Sequence, residues 1–446
     1  MENLLKKTIL SLGKMYYRKA RPDRRKNGYI AASGKVLGEE EMANMLEATL
    51  DMWLTAGRFH QQFEKEFAAY MGVPFALAVN SGSSANLLAL SALTSPKLGD
   101  KRLLAGDEVI TVAAGFPTTV APIVQNGLIP VFADVDLNTC QLDVSQLEEC
   151  LSPKTRAVFV AHTLGNVFDL DAVKAFCDKR GLYLIEDNCD ALGSRYNEKL
   201  TGTFGHIGTF SFYPAHHMTM GEGGAVITSD PTLYRALLSL RDWGRDCWCA
   251  PGKDDSCKNR FNQQLGNLPF GYDHKYTYSH LGYNLKISDW QAACGLAQLK
   301  KLDGFIEKRK ENFNKLHAGL KLFEKYLLLP KAQHGADPSW FGFLLTVKDG
   351  VDKIDLCKFL ESRGVGTRQL FAGNLLRQPA FCDRSVSLRI RNSGLLDSAK
   401  LTEQEYALLP RTDDVMNRSF WIGVWPGLTE RELVKVVETF GEYFKK

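Results

Sequence analysis

Ser211-Phe212-Tyr213-Pro214-Ala215-His216-His217-Met218-Thr219-Met220-Gly221-Glu222-Gly223-Gly224 is the stretch on which the reading of this chain turns. A Ser-Phe pair opens it, two adjacent histidines stand in the middle, and a Gly-Glu-Gly-Gly run closes it. An imidazole moves protons near neutral pH. Taken alone, a His-His pair reads as ordinary loop residues. The frame around it has to decide whether His216 does chemistry.

Upstream of this stretch, strands and helices alternate. Leu182 to Asp187 reads as a strand ending in Ile185-Glu186-Asp187-Asn188-Cys189-Asp190-Ala191-Leu192-Gly193, ahead of His216 in the chain. Before it come strand-type runs at 107–112, 131–135 and 157–160, with helical stretches at 118–126, 144–150 and 170–180. This rhythm predicts a mostly parallel sheet flanked by helices, with ligands at the carboxyl ends of its strands. Asp187 lies at one such end. An isolated aspartate there is more often a helix N-cap.

Further upstream, residues 36–72 show helical periodicity, and Phe75-Ala76-Leu77-Ala78-Val79 is a short strand. Asn80-Ser81-Gly82-Ser83-Ser84 follows, and then a helix from Ala85 to Leu93. A strand, a small polar turn and a helix make a phosphate-binding arrangement, because free N–H groups and the positive helix end face the anion. By itself such a turn can equally be a simple cap.

These motifs together resemble the sugar-nucleotide aminotransferase-like family of DegT/DnrJ/EryC1 type, which uses pyridoxal phosphate (PLP). The family reads Ser-Phe, three residues, then a lysine; here His216 stands in the lysine's place. A lysine amine forms a Schiff base with an aldehyde cofactor, and an imidazole cannot. The resemblance implies an α/β protein of PLP-dependent transferase fold type I, aspartate aminotransferase-like. It implies pyridoxamine phosphate (PMP) as the working cofactor, with His216 as the base. It assigns the cofactor phosphate to Gly82 and Ser83, ring stacking to Phe116, the pyridine nitrogen to Asp187, and a further cofactor contact to Ser211. Asn284, in Gly-Tyr-Asn-Leu-Lys-Ile, is implied to serve the phosphate of a partner subunit in a homodimer. The family has Arg two residues later where this chain has Lys286, a change that loses the bidentate fork.

Downstream, residues about 245–280 form an insertion typical aminotransferases lack, carrying Cys247, Cys249 and Cys257. With Cys189 these make a Cys-x57-Cys-x-Cys-x7-Cys series. Four thiolates complete either a structural zinc site or an iron–sulfur cluster, and spacing alone leaves both open, as well as an unligated loop. The histidine and the cysteine series together resemble the PMP- and 2Fe-2S-dependent 3-dehydratases of this family. That resemblance implies reductive C3 dehydration of CDP-4-keto-6-deoxy-D-glucose. Electrons would come through a 2Fe-2S cluster from an NADH-dependent flavin/iron–sulfur reductase, in 3,6-dideoxyhexose and O-antigen biosynthesis. The rival reading is an aminotransferase-like protein with a structural zinc.

Bulk properties bound these readings. The chain has 446 residues, 45% apolar and 24% charged, ordinary for a globular protein. The expected organisation is a basic arm at 1–35, a large cofactor domain at 36–310 and a smaller α+β domain at 311–446. The arm carries ten Lys or Arg against Glu2 and Asp23, leaving −4 of the +4 total for the rest. An acidic body argues against nucleic acid as a partner. Arg21, Arg24, Arg25 and Lys26 read as a solvated helix face, with an acidic partner or a diphosphate as the alternative. No run approaches the roughly 20 apolar residues of a membrane span, and no signal peptide is read, so the expected location is the cytoplasm. The other six of the ten cysteines read as small buried hydrophobes.

Overall fold

The computed structural model describes residues 2–20, 28–249 and 252–445. A nine-stranded sheet carries the fold: β1 (Phe75–Val79), β2 (Glu108–Val112), β3 (Ile129–Ala133), β4 (Thr155–Ala161), β5 (Tyr183–Asp187), β6 (Ile207–Ser211), β7 (Gly224–Thr228), β8 (Ser387–Ile390) and β9 (Leu396–Asp397). They run in the order β1-β7-β6-β5-β4-β2-β3-β8-β9. Five of the eight neighbouring pairs are parallel, so the sheet is mixed with a parallel centre. β2, β3, β6 and β7 are buried at every position. Helices cover both faces, which is why the central strands read as continuous apolar runs.

The helical stretch foreseen over 36–72 is two helices, Glu39–Asp51 and Arg58–Met71. Met52, with φ of 49°, ends the first in a left-handed residue. The stretch 144–150 is a 3₁₀ turn, Val144–Gln146, running into a single α turn, Leu147–Cys150.

The quoted stretch 211–224 is the connection between two antiparallel strands. Ser211 closes β6 and pairs with Gly224, which opens β7. Any side chain at Gly224 would stand 2.4 Å from the Ser81 carbonyl oxygen, so this close approach to the turn before the helix Gly82–Leu93 requires glycine.

A second, antiparallel sheet orders Leu327–Leu328, Gly342–Val347, Ser419–Gly423 and Thr367–Gln369. Its core includes Phe343, Leu345, Phe420, Leu433 and Phe440. Between its strands the chain returns to the large sheet: β8 pairs in parallel with β3, and Leu375, Phe381 and Leu409 pack against Phe132. The edge that β3 would otherwise expose is thereby covered.

The helix Glu2–Ala20 buries none of its residues and is tied to Glu39–Asp51 by Lys6 on Glu47 and Asp51 and by Arg18 on Glu39. Arg21, Arg24, Arg25 and Lys26 lie outside the described residues. Among the described residues no helix is long and apolar enough to cross a membrane.

Candidate active site

A cavity of about 460 Å³ opens at the carboxyl ends of β4, β5 and β6. Ser81, Gly82 and Ser83 form one end. The Ser81 hydroxyl caps the helix Gly82–Leu93, accepting the Ser84 N–H at 3.0 Å. A side chain at Gly82 would stand 2.5 Å from the Ser211 Cβ and 3.0 Å from the Cys189 sulfur. With glycine there, backbone N–H groups and the positive helix end are left to meet an anion. Ser211 itself lines the same end.

Asp187 lines the same cavity and is only 4% exposed. One carboxylate oxygen accepts from the Asn86 amide at 2.8 Å and the Thr119 hydroxyl at 2.7 Å. The other accepts the Cys189 N–H at 3.2 Å. The Thr209 hydroxyl donates to the Asn86 carbonyl oxygen at 2.6 Å, which fixes the orientation of the amide. The carboxylate is thus held rigidly. Asn86 and Thr119 were not legible in the sequence.

His216 lines the cavity as well. Its Nδ1 is 3.6 Å from an Asp190 oxygen, too long for a hydrogen bond, and has no other partner. Burial, then the nearby Arg309 charge, pushes the imidazole down to about 3, against the opposing effect of a hydrogen bond with the Cys189 backbone. The ring is therefore neutral at pH 7 with a nitrogen lone pair to offer, while the same burial makes its protonated form costly. Asp190 is raised to about 7, first by burial and then by the neighbouring Asp187 charge. His217 points away: its Nε2 is 2.8 Å from the Ser339 carbonyl oxygen.

The rim carries Phe116, 49% exposed and edge-on to Phe371 at 5.6 Å, so one face of the ring remains available to a ligand. Phe341, Trp421 and Arg368 come from the second sheet and its approaches. Arg368 adds a cation that sequence reasoning had not singled out. Asn284 is not among the residues lining this cavity. It bridges to Asp242 and accepts from Lys286 at 2.7 Å.

The cysteines divide. Cys247, Cys249 and Cys257 share a small pocket on the insertion, with His274 and Arg260 on its wall. Cys189 is elsewhere, in the cofactor-sized cavity beside Asp187. Burial would raise Cys249, but hydrogen bonds from Ser256 and the Cys257 backbone outweigh it and hold the thiol below its usual range; burial and the neighbouring thiols hold Cys247 above it. Among the described residues no three His, Cys, Asp or Glu side chains are arranged to hold a metal ion. The expected four-thiolate centre is thus not assembled in this structure: the insertion brings its three cysteines to one place, and the strand end keeps Cys189 in another.

A mixed, helix-covered sheet with a capped Ser-Gly-Ser-Ser turn and a strand-end aspartate facing one cavity defines an aminotransferase-type fold of the PLP-dependent class. Solved structures bear this out. A mutant of GDP-4-keto-6-deoxymannose-3-dehydratase with bound GDP-perosamine superposes with a TM-score of 0.79 at 28% identity, over 92% of this chain and 99% of that one. The Escherichia coli enzyme with bound hydrated PLP gives 0.78 at 28% identity, over 92% and 98%. Residues 35–441 match the DegT/DnrJ/EryC1/StrS aminotransferase family, and the chain belongs to it. Lipopolysaccharide biosynthesis protein RfbH of Salmonella typhimurium is 56% identical over 417 residues, covering 93% of this chain and 92% of that protein. The dTDP-4-dehydro-2,6-dideoxy-D-glucose 3-dehydratase of Saccharopolyspora spinosa is 50% identical over 419 residues, covering 94% and 87%.

Proposed function

We propose that this chain is a PMP-dependent sugar-nucleotide 3-dehydratase that removes the C3 hydroxyl of a 4-keto-6-deoxyhexose in deoxysugar biosynthesis. The observation that carries this reading is the histidine at 216, in the place where the resemblance puts a lysine, on one cavity with Gly82, Ser83, Phe116, Asp187 and Ser211. When bound, the cofactor supplies a primary amine for the sugar ketone and an electron-accepting ring. The cavity fits it. The Ser81–Ser84 turn would take the phosphate, Phe116 would stack on the ring and Asp187 would pair with the ring nitrogen. Ser211 stands at the phosphate end.

His216, neutral and without a hydrogen bond at Nδ1, would take a proton from the carbon that carries the amine and return one later. Asp190, raised to about 7, stands close enough to steady the protonated ring. Phe341 and Trp421 close the apolar side of the cavity and keep water from the reacting carbon. Arg368 presents a cation to the diphosphate of the nucleotide.

The finer reading is a CDP-linked, reductive reaction serving O-antigen synthesis. In that reading Cys189, Cys247, Cys249 and Cys257 would hold a 2Fe-2S cluster, which would supply one-electron transfer from an NADH-dependent flavin/iron–sulfur reductase. The reading is supported by the order of Cys189, Cys247, Cys249 and Cys257, by the gathering of the last three, and by likeness to a lipopolysaccharide protein. The place of Cys189 does not fit a single four-thiolate cage in this arrangement, and the proton chemistry at His216 needs none of the four. A homodimer in which Asn284 serves the partner's cofactor would account for its standing outside its own cavity.

The test is His216→Asn. The variant should bind PMP and fold, yet exchange the cofactor's 4′ proton about 10²–10⁴ times more slowly, the usual cost of losing a general base. Exchange at the wild-type rate would remove His216 from this role. Borohydride treatment of the wild-type protein with PLP should leave no pyridoxyl adduct on any lysine in the intact mass.

A further inference from the structure

We infer that Arg309 is a positioning residue for His216, holding the base against the cavity through the backbone. The inference rests on His216 being the base. Arg309 projects from the helix Leu302–Leu320 and is fully buried. One terminal nitrogen donates to the His216 carbonyl at 2.9 Å and the Ala215 carbonyl at 3.3 Å. The other donates to the carbonyls of Trp340 and Phe341, each at 3.2 Å. A single planar fork therefore ties the loop that carries the base to the segment that leads into the strand Gly342–Val347.

Two further contacts follow the same line. The His217 ring meets the Ser339 carbonyl, and the Phe341 ring stands 5.0 Å from that of His216. No carboxylate among the described residues lies within ion-pair distance of Arg309, and its Nε has no partner. A buried cation answered at contact distance by carbonyl dipoles, with the Phe341 ring at 5.9 Å and the Asp190 charge further off, is costly, and an apolar side chain would serve packing as well. Beyond its charge, which Lys would keep, the guanidinium adds geometry: a rigid fork that no lysine or methionine reproduces. Because misplacing a reacting group by about 1 Å can cost 10² in rate, the clamp is felt at the base even though Arg309 touches no ligand.

The experiment is a double-mutant cycle on the PMP-loaded protein. Arg309→Lys should slow 4′-proton exchange about 10-fold and Arg309→Met about 100-fold, with PMP affinity held within about threefold. In the His216→Asn background the same changes should alter the residual rate by less than about twofold, since the residue they position is gone. A readout independent of activity accompanies them. In protein labelled with ¹³C-histidine, the His216 ring signal, assigned by its loss in His216→Asn, should be single and sharp in the wild type and shifted or broadened in Arg309→Lys. If Arg309→Met does not fold, Arg309→Lys carries the comparison. Equal losses in both backgrounds, or an unchanged His216 signal with PMP affinity and thermal midpoint falling together, would make Arg309 merely structural. Undiminished exchange in His216→Asn alone would overturn the base assignment, and it is read separately from the arginine variants.

Discussion

The cavity and the cysteine-bearing insertion are built on opposite principles. Asp187, Asn86, Thr119 and Thr209 are each at most 4% exposed, and each is hydrogen-bonded to another of the four. They sit on strand ends and helix starts whose register the sheet dictates. The insertion has no α-helix or strand among its described residues, only the 3₁₀ turn His274–Tyr276. It leaves Trp248, Phe261, Phe270, Tyr272, Tyr276 and Tyr278 exposed. The Arg260–Asp273 ion pair and the hydrogen bond between the His274 ring and the Asp246 carboxylate hold it instead of a core. Sequence spacing becomes geometry only where both ends of the spacing are fixed by the sheet, as Asp187 is by its strand and the loop bearing His216 is by β6 and β7. The chain from Asp187 to His216 runs through β6 and brings both side chains to one cavity. The longer run from Cys189 to Cys247 passes through β6, β7 and the helix Pro231–Arg241, and it leaves the two thiols lining different pockets.

The largest expected effect tests whether the cavity works as one rigid unit. Asp187→Asn keeps the shape and removes the carboxylate proposed to pair with the ring nitrogen. The 4′-proton exchange should fall by about 10²–10³, the usual cost of losing one preorganised electrostatic partner. Thiol labelling on the insertion should be unchanged. A change in the reactivity of Cys247 or Cys257 in this variant would show the two regions to be coupled and break the contrast.

A middling effect comes from pH. Burial holds the His217 imidazole well below its ordinary value, with the Arg309 charge adding to it. In the unfolded chain the same group titrates near 6.5. The unfolded state therefore binds the extra proton below that pH, and stability falls as pH drops through 6.5. At pH 5.5 a histidine still neutral in the native state costs about 1.4 kcal/mol. Asp190, raised to about 7, works in the opposite sense: its contribution is full at low pH and lost as pH rises through 7. The clean measurement is thus a difference. His217→Gln should lose less stability than wild type between pH 7.5 and 5.5, by about 1.4 kcal/mol in urea unfolding. Parallel curves would mean that His217 is protonated in the native state.

Much of the frame was legible before any coordinates. The βα rhythm from Phe75 to Asp187 reads directly as sheet and helix, since parallel strands buried on both faces are apolar throughout. β6 and β7 were missed for a physical reason: Gly208, Thr209 and Ser211 break any apolar run, and Gly224 is there for close approach rather than strand preference. β8 was missed because only Arg389 and Ile390 pair with β3, from the far end of the sequence. Of the site, the turn at Ser81, the carboxylate at 187 and the histidine at 216 could be read from motifs. Arg309 could not, because its partners are backbone carbonyls, which leave no mark in a sequence.

The smallest expected effect is also the sharpest test of the contrast. Cys249 lies on a surface loop, hydrogen-bonded by Ser256 and held below the ordinary thiol range, so a good share of it is thiolate near neutral pH. Cys189 lines the cavity and is held well above that range, first by burial and then by the Asp187 charge. In metal-free protein loaded with PMP, iodoacetamide at pH 7.5 should therefore modify Cys249 well before Cys189. Cys249→Ser should change unfolding free energy by no more than about 0.5 kcal/mol, as surface substitutions do, and should leave PMP affinity and 4′-proton exchange at wild-type values. Cys189→Ser puts a smaller, more polar atom against Gly82 and Asp187, and should weaken PMP binding while leaving the labelling of Cys249 alone. If Cys249→Ser depresses exchange as much as Cys189→Ser does, the insertion reaches the cofactor after all. The four cysteines would then belong to one centre in the working protein, with the separation seen here as one of its states.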